Sequence, residues 1–229
     1  MFSADQIESV EKLTMRWLFQ ALLDFGPAAY TIFLNSPDEV KDIAEDITRE
    51  ALDRLVGFNI PERMYGTVDY KRARYVITPE YIVRQALFVD SKAEKENRSA
   101  TIQMSQTSMH IRHIRAGKPT DEVGLLPSVS TYGHQSYLTT TAFLHFNYQD
   151  ADNSHQLREL TLFCVPNGLL QMVYNPTIED TFWLAGRNAP SLDEDFRVRV
   201  SFGRLRSKAL WRVQTIAYQP NQVTGVWSE

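Results

Sequence analysis

Cys164 is the chain's only cysteine among 229 residues. An internal disulfide is therefore excluded, and a reducing compartment is the expected setting. No Gly/Ser- or Pro-rich stretch interrupts the chain, so one domain of the larger sort is expected rather than two. The opening "MFSADQIESV" has neither a basic start nor an apolar run, so no signal peptide is expected. The longest apolar stretch, "WLFQALLDFGPAAYTIFL", is broken by Asp24, Gly26 and Pro27, which argues against a bilayer span and for a soluble protein. An excess of positive charge is also missing. The net charge is −4, whereas a sequence-blind nucleic-acid binder is normally basic; a local basic groove stays open.

What is present is an ordered mixture of helix and strand signals. Ser3 and Gln6 form a capping box for a first helix that should stop at Gly26-Pro27. Ser36 as N-cap and Pro37 at the first helical position open a second, ended by Gly57. In it Val40, Ile43, Ala44, Ile47, Ala51, Leu52 and Leu55 recur at helical spacing. Residues 66–93 change to a strand period in two runs, "GTVDYKRARYVI" and "YIVRQALFVDSK", which read as a hairpin-like pair. Residues 94–118 are polar and partly helical in pattern, and from 137 onward aromatic and β-branched strands dominate. Asn167-Gly168 is a turn signal. This order predicts a mixed α+β (α/β) fold around one sheet.

The chemistry concentrates at "ALFVDSK". Residues i and i+2 of a strand share a face, so Asp90 and Lys92 point the same way at the end of an apolar, buried run. A buried carboxylate needs a cation or water, and Asp69 in the preceding strand is able to lie beside it. Two neighbouring carboxylates repel unless a divalent ion sits between them, and hard oxygen ligands suit Mg²⁺. Lys92 would then hold or polarise a water for attack on a phosphodiester. On spacing alone an ordinary solvated strand end is the commoner meaning of D-x-K.

Further blocks narrow the choice. Asp69 with Asp90-Ser91-Lys92 resembles the PD-(D/E)xK nuclease motif. "IAEDITREAL", "GTVDYKRARYVITPE", "LFVDSKAEKENR", "TIQMSQTSM", "VPNGLLQMVYNP" and "FRVRVSFGRL" follow in the order of the SfiI/BglI group of type II restriction endonucleases, over roughly Glu8 to Tyr218. Val68 stands where the motif often has proline, a loose position. The resemblance implies a restriction-endonuclease-like core, a central mixed sheet flanked by helices, with a catalytic core at about 37–150 and base-recognition strands at about 160–218. It implies Asp69, Asp90 and Lys92 as the catalytic set and Asp69, Asp90 and the Ser91 carbonyl as Mg²⁺ ligands. Glu45 matches a family acid near the metal.

Strand "FRVRVSF" alternates Phe196, Val198, Val200 and Phe202 against Arg197, Arg199 and Ser201. A solvated strand face is the plain account. Two arginines reaching guanines in a major groove is the sharper one, each worth about 1–3 kcal/mol of discrimination, and the resemblance favours it. Arg187, and with less weight Asn188, match the family's recognition loop. Lys71, Arg72 and Arg74 follow Asp69, and Arg72 and Arg74 share a face that suits phosphates as well as solvent. His110 and His113 in "MHIRHIR" stand at helical spacing without a third ligand, so a basic helix is expected there rather than zinc. Cys164, flanked by Phe163 and Val165, reads as a packed apolar residue.

The expectation is thus a Mg²⁺-dependent type II restriction endonuclease cutting double-stranded DNA at an interrupted G·C-rich palindrome, with GCC/GGC elements around an unread spacer. A bacterial cytoplasmic homo-oligomer goes with it, a tetramer favoured over a dimer, and no membrane. The rivals are a PD-(D/E)xK repair or recombination nuclease without sequence specificity, and a DNA-binding protein of the same fold that does not cut.

Overall fold

The computed structural model describes residues 2–36, 38–53, 74–78, 83–95, 98–132, 134–151, 154–186 and 197–229, with backbone alone for 74–78 and 132. Its centre is a mixed sheet. Strand β1 (Arg74–Thr78) pairs antiparallel with β2 (Val83–Glu94), from Arg74 opposite Leu87 to Thr78 opposite Val83. The expected hairpin-like pair is therefore present over these residues.

Three more strands lie between β2 and the middle of the sheet in chain order: β3 (Ser99–Gln103), β4 (His110–Arg115) and β5 (Lys118–Val123). Then come β6 (Val129–Tyr132), β7 (Gln135–Ala151) and β8 (Ser154–Val165). β2 runs parallel to β7, with Asp90 opposite Phe143 and Lys92 opposite His145. The other edge of β7 is shared: its first residues pair with β6, and Thr141 to Ala151 pair with β8. β9 (Trp183–Ala185) and β10 (Arg197–Ser201) join β3 in a separate three-stranded sheet, while β11 (Val213–Gln219) and β12 (Gln222–Gly225) extend the large one beyond β8.

Two helices, α1 (Ala4–Asn35) and α2 (Val40–Asp53), cover one face of the large sheet. Leu87 and Val89 of β2, Leu144 and Phe146 of β7 and Leu160 and Leu162 of β8 meet Leu18, Leu22, Phe33, Ile43 and Ile47 there. The opposite face packs Phe143 and Phe163 against Ile102, Val198, Val200 and Trp183 of the smaller sheet. Burial of this kind stabilises by about 25 cal/mol per Å² of apolar surface, and the middle of β2 and of β7 is buried on both faces. Gln85 is buried among these residues, and its side-chain amide donates to Thr14 of α1 and Thr140 of β7, each at 2.8 Å.

The expected helix faces are correct: Val40, Ile43, Ala44, Ile47, Ala51 and Leu52 are all buried. Leu55 and Gly57 lie outside the described residues. Two helix boundaries are corrected. α1 does not stop at Gly26-Pro27 but continues to Asn35. Gly26 is a packing position, since a Cβ there would meet Val223 Cγ1 of β12 at 2.6 Å. Burial of Phe25, Ala29 and Phe33 on both sides of Pro27 outweighs the hydrogen bond that the proline removes. By length and composition α1 is apolar enough to cross a bilayer, but in this fold its apolar face is spent on the sheet.

The second correction concerns Ser36. It ends α1, its N–H bonding the Ile32 carbonyl, and its hydroxyl accepts from the Asp38 N–H; α2 starts later, at Val40. A third correction is a change of type: "HIRHIR" is strand β4, not helix. Ala116 and Gly117, both at positive φ, turn it tightly into β5. Asn167 caps the short 3-10 turn Gly168–Leu170, which leads into α3 (Gln171–Tyr174).

One charged group holds α1 to the strands. Arg212, fully buried just before β11, donates to Glu11 of α1 at 2.7 Å, and Glu11 also accepts from the Asn167 N–H at 2.9 Å. The Arg212 guanidinium lies 4.2 Å from both the Tyr174 and Trp211 ring centroids. Burial works against its charge, but Glu11, Cys164 and Tyr174 together outweigh that and hold its pKa above the ordinary value. Arg212→Ala would strand a buried carboxylate, and should lower stability by about 3–5 kcal/mol in urea unfolding. A loss below about 1 kcal/mol would show that the pair holds nothing together.

Candidate active site

The apolar run of β2 ends where the helix-covered layer ends. From Gln85 to Val89 the strand is buried; Asp90, Ser91, Lys92, Ala93 and Glu94 are half-buried. Alternation puts Asp90, Lys92 and Glu94 on one face, the side of the smaller sheet. Asp90 and Lys92 meet as expected: Lys92 Nζ lies 2.8 Å from Asp90 Oδ2, with side chains 19% and 30% exposed. Beside them on the neighbouring strand, β7 places Phe143 and His145, both fully buried, whereas the carboxylate and ammonium reach solvent. A charged pair here is within reach of a ligand yet sits in surroundings less polar than water, where electrostatic effects are strengthened.

Asp90 has a second donor that the sequence reading did not anticipate. Gln106, in the 3-10 turn Met104–Gln106 after β3, donates its side-chain N–H to Asp90 Oδ2 at 2.8 Å. Its carbonyl oxygen accepts from the Gln103 backbone N–H at 3.0 Å. Glu94 was also missed. Its Oε1 accepts from the Thr101 N–H at 3.1 Å, and its Oε2 lies 3.2 Å from Arg199 Nη2. Alternation from Asp90 predicts the face of Glu94, and the Q-x-x-Q spacing of Gln103 and Gln106 fits a capping pair. Neither signal shows which strand they would touch.

Strand β10 carries Arg197, Arg199 and Ser201 half-buried, against buried Val198 and Val200. The expected alternation is thus correct for the described residues. Arg199 is already engaged. Its Nε donates to Ser99 Oγ at 2.8 Å, Nη1 to Thr101 Oγ1 at 3.3 Å, and Nη2 to both Glu94 and the Ser99 carbonyl. To fork onto a base, Arg199 would have to exchange some of these bonds. Arg197 stands opposite Gln103 in the β10–β3 pair, two residues nearer the Asp90 end of the contact.

Glu45 is half-buried on α2, which packs on the Leu87 and Val89 face of β2, the alternate face to that of Asp90 and Lys92. Asp69, Lys71, Arg72, Arg187 and Asn188 lie outside the described residues, as does the side chain of Arg74. β4 settles the two histidines: on a strand, i and i+3 face opposite ways. His110 is half-exposed near Asp121, while His113 is buried and its pKa is lowered by desolvation, so they form no metal pair. Cys164 is fully buried, and burial pushes its thiol well up, which makes it the packed residue expected rather than a nucleophile.

For a cation, the hard oxygen donors next to Lys92 are the Asp90 carboxylate and the adjoining Ser91 backbone carbonyl. No cluster of three His, Cys, Asp or Glu side chains exists among the described residues. The donor chemistry fits a divalent ion such as Mg²⁺, provided a further acid joins from elsewhere.

This geometry has close counterparts. The family model for the type II restriction enzyme SfiI matches residues 23–216. The type II restriction enzyme SfiI of Streptomyces fimbriatus is 35% identical, over 94% of this chain and 86% of its own length. The crystal structure of tetrameric restriction endonuclease SfiI bound to cognate DNA superposes with a TM-score of 0.84 at 31% identity, covering 96% of this chain and 88% of that one. Restriction endonuclease BglI bound to its DNA recognition sequence gives a TM-score of 0.73 at 15% identity, covering 92% and 90%; that likeness concerns the fold. The expected restriction-endonuclease-like fold is therefore present, and the chain belongs to the SfiI family of type II restriction enzymes.

Proposed function

We propose that this restriction endonuclease cuts double-stranded DNA with Mg²⁺ at an interrupted G·C-rich palindrome, using Asp69, Asp90 and Lys92. The observation that carries this reading is the Asp90–Lys92 pair, 2.8 Å apart at the open end of β2. Type II restriction enzymes generally depend on a metal ion. Asp90, the Ser91 carbonyl and Asp69 are the groups that would hold Mg²⁺, which when bound would supply positive charge against the scissile phosphate. Asp69 precedes Arg74 by five residues, a span of at most about 18 Å, and Arg74 pairs with Leu87, three residues before Asp90. Chain reach therefore allows the two acids to meet. Glu45 would add a flanking acid from α2.

Lys92 neutralises charge beside Asp90 and, through its ammonium N–H groups, orients a water toward phosphorus. The water oxygen bonds phosphorus in line and releases a proton to solvent as the bond to the 3′ oxygen breaks. A proton is returned to that oxygen, leaving 5′-phosphate and 3′-hydroxyl ends. Lys71, Arg72 and Arg74 are assigned to phosphates, which position the duplex without reading it. Arg197 and Arg199, with Arg187 and Asn188, are assigned to GCC/GGC base edges. Within one domain, residues of about 37–150 would cut and strands of about 160–218 would read.

A palindrome requires two copies related by a two-fold axis, each cutting one strand. The SfiI that this chain resembles is a DNA-bound tetramer, which favours a tetramer here over a dimer. Restriction of incoming DNA places the protein in the bacterial cytoplasm.

Asp90→Asn should reduce plasmid cleavage in Mg²⁺ by roughly a thousandfold, the equivalent of several kcal/mol of lost transition-state stabilisation. DNA binding in gel-shift assays should persist. Near wild-type cutting would show that the site lies elsewhere. Arg197→Ala should relax discrimination at one base pair by about 1–3 kcal/mol, read as the ratio of cleavage rates on cognate and singly substituted duplexes. An unchanged ratio would support a nuclease without sequence readout. Sequencing the ends of a digested DNA of known sequence should reveal G·C-rich half-sites around a spacer; scattered ends would contradict the specificity.

A further inference from the structure

The catalytic strand and the arginine strand belong to different sheets, yet side chains bridge them. One bridge is Glu94 to Arg199. The other starts at Asp90, passes to Gln106, continues to the Gln103 backbone, and meets Arg197 in the β3–β10 register. The first also touches β3 at the Thr101 N–H, and the second runs through the turn that follows β3.

Gln106 is constrained at both ends of its amide. Turning the amide over would break its bond to the Gln103 N–H and present oxygen to the Asp90 carboxylate, where two acceptors repel. Its N–H is therefore committed to Asp90. Gln106 and Lys92 converge on the same oxygen, Oδ2, which fixes the plane of the carboxylate. Unlike a second lysine, the amide does this without adding positive charge, so the site keeps its attraction for a cation. Groups that orient a ligating carboxylate in this way typically govern metal affinity or activity by about 10–100-fold.

We propose that Gln106 is a positioning residue of the nuclease site, setting the Asp90 carboxylate and tying it to the strand that carries Arg197 and Arg199. Any shift of β10 as its arginines engage a cognate site is passed through β3 to the Gln103 backbone and on to Asp90. Cognate sequence would then improve the geometry of the carboxylate, and non-cognate sequence would not. Glu94 anchors the same joint, because it binds both the β3 backbone and Arg199. This inference rests on the assignment of Asp90 as a cation-holding acid.

Three variants test it. Gln106→Met removes both amide bonds at similar length. Gln106→Glu keeps the acceptor for the Gln103 N–H and loses the donor, so it preserves the turn should the methionine variant fold poorly. Asp90→Asn serves as reference. Single-turnover cleavage of a cognate duplex, Mn²⁺ binding to cognate and non-cognate complexes by electron paramagnetic resonance, and thermal unfolding are measured for each. Both Gln106 variants should lose about 10–100-fold in cleavage rate. Mn²⁺ should bind the wild type more tightly in the cognate complex, and that advantage should shrink in both variants, while DNA affinity without metal stays unchanged in the uncharged Gln106→Met and both variants keep a single cooperative unfolding transition. If Asp90→Asn is inactive but both Gln106 variants retain wild-type rate and Mn²⁺ binding, Gln106 only caps a turn and the inference fails. If Asp90→Asn itself cuts like the wild type, the assignment of Asp90 falls and takes this inference with it.

Discussion

Much of this molecule depends on a carboxylate and an ammonium held 2.8 Å apart at the point where a buried strand reaches solvent. Such a pair is costly to hold away from water, and a loose one would relax into it. Here the strand gives it little freedom. β2 is locked parallel to β7 along its length, from Gln85 opposite Leu138 to Glu94 opposite Asn147. Helices cover one of its faces, and on the other buried Phe143 and His145 flank the pair from β7. The apolar core thus fixes the two groups in place, which under the proposed mechanism would preorganise them before any DNA arrives.

The same logic explains the two sheets. The large sheet presents the acid and the lysine, and the small one presents the arginines. Val198 and Val200 bury into the contact between the sheets, leaving Arg197 and Arg199 half-exposed. The sheets share a core, so under the proposed assignment reading and cutting would be mechanically connected. Arg199 illustrates the cost of that connection. Its bonds to Glu94, Ser99 and Thr101 must be partly exchanged to contact a base, so recognition by this residue implies rearrangement at β3.

Local patterns were legible where a single element decides the outcome. The buried face of α2, the alternation of β10, the β1–β2 pair and the Asp90–Lys92 face all follow from periods of 3.6 or 2 residues. The reading failed where distant segments decide. Gly26-Pro27 looked like a stop because the contact of Gly26 with Val223 spans most of the chain. "HIRHIR" carried an apparent helical spacing, but pairing with Lys118–Val123 made it a strand. Gln106 and Glu94 were invisible as site residues because their partners come from other strands. The Glu11–Arg212 pair likewise joins the two ends of the sequence.

The central claim is that Asp90 and Asp69 share a divalent cation next to Lys92. Anomalous diffraction from crystals of the protein with a cognate duplex and Mn²⁺ tests it most directly. The account predicts a peak bonded to the carboxylates of both acids and to the Ser91 carbonyl, beside the scissile phosphate. A peak held by other residues, with Asp90 left bonded only to protein, would contradict it.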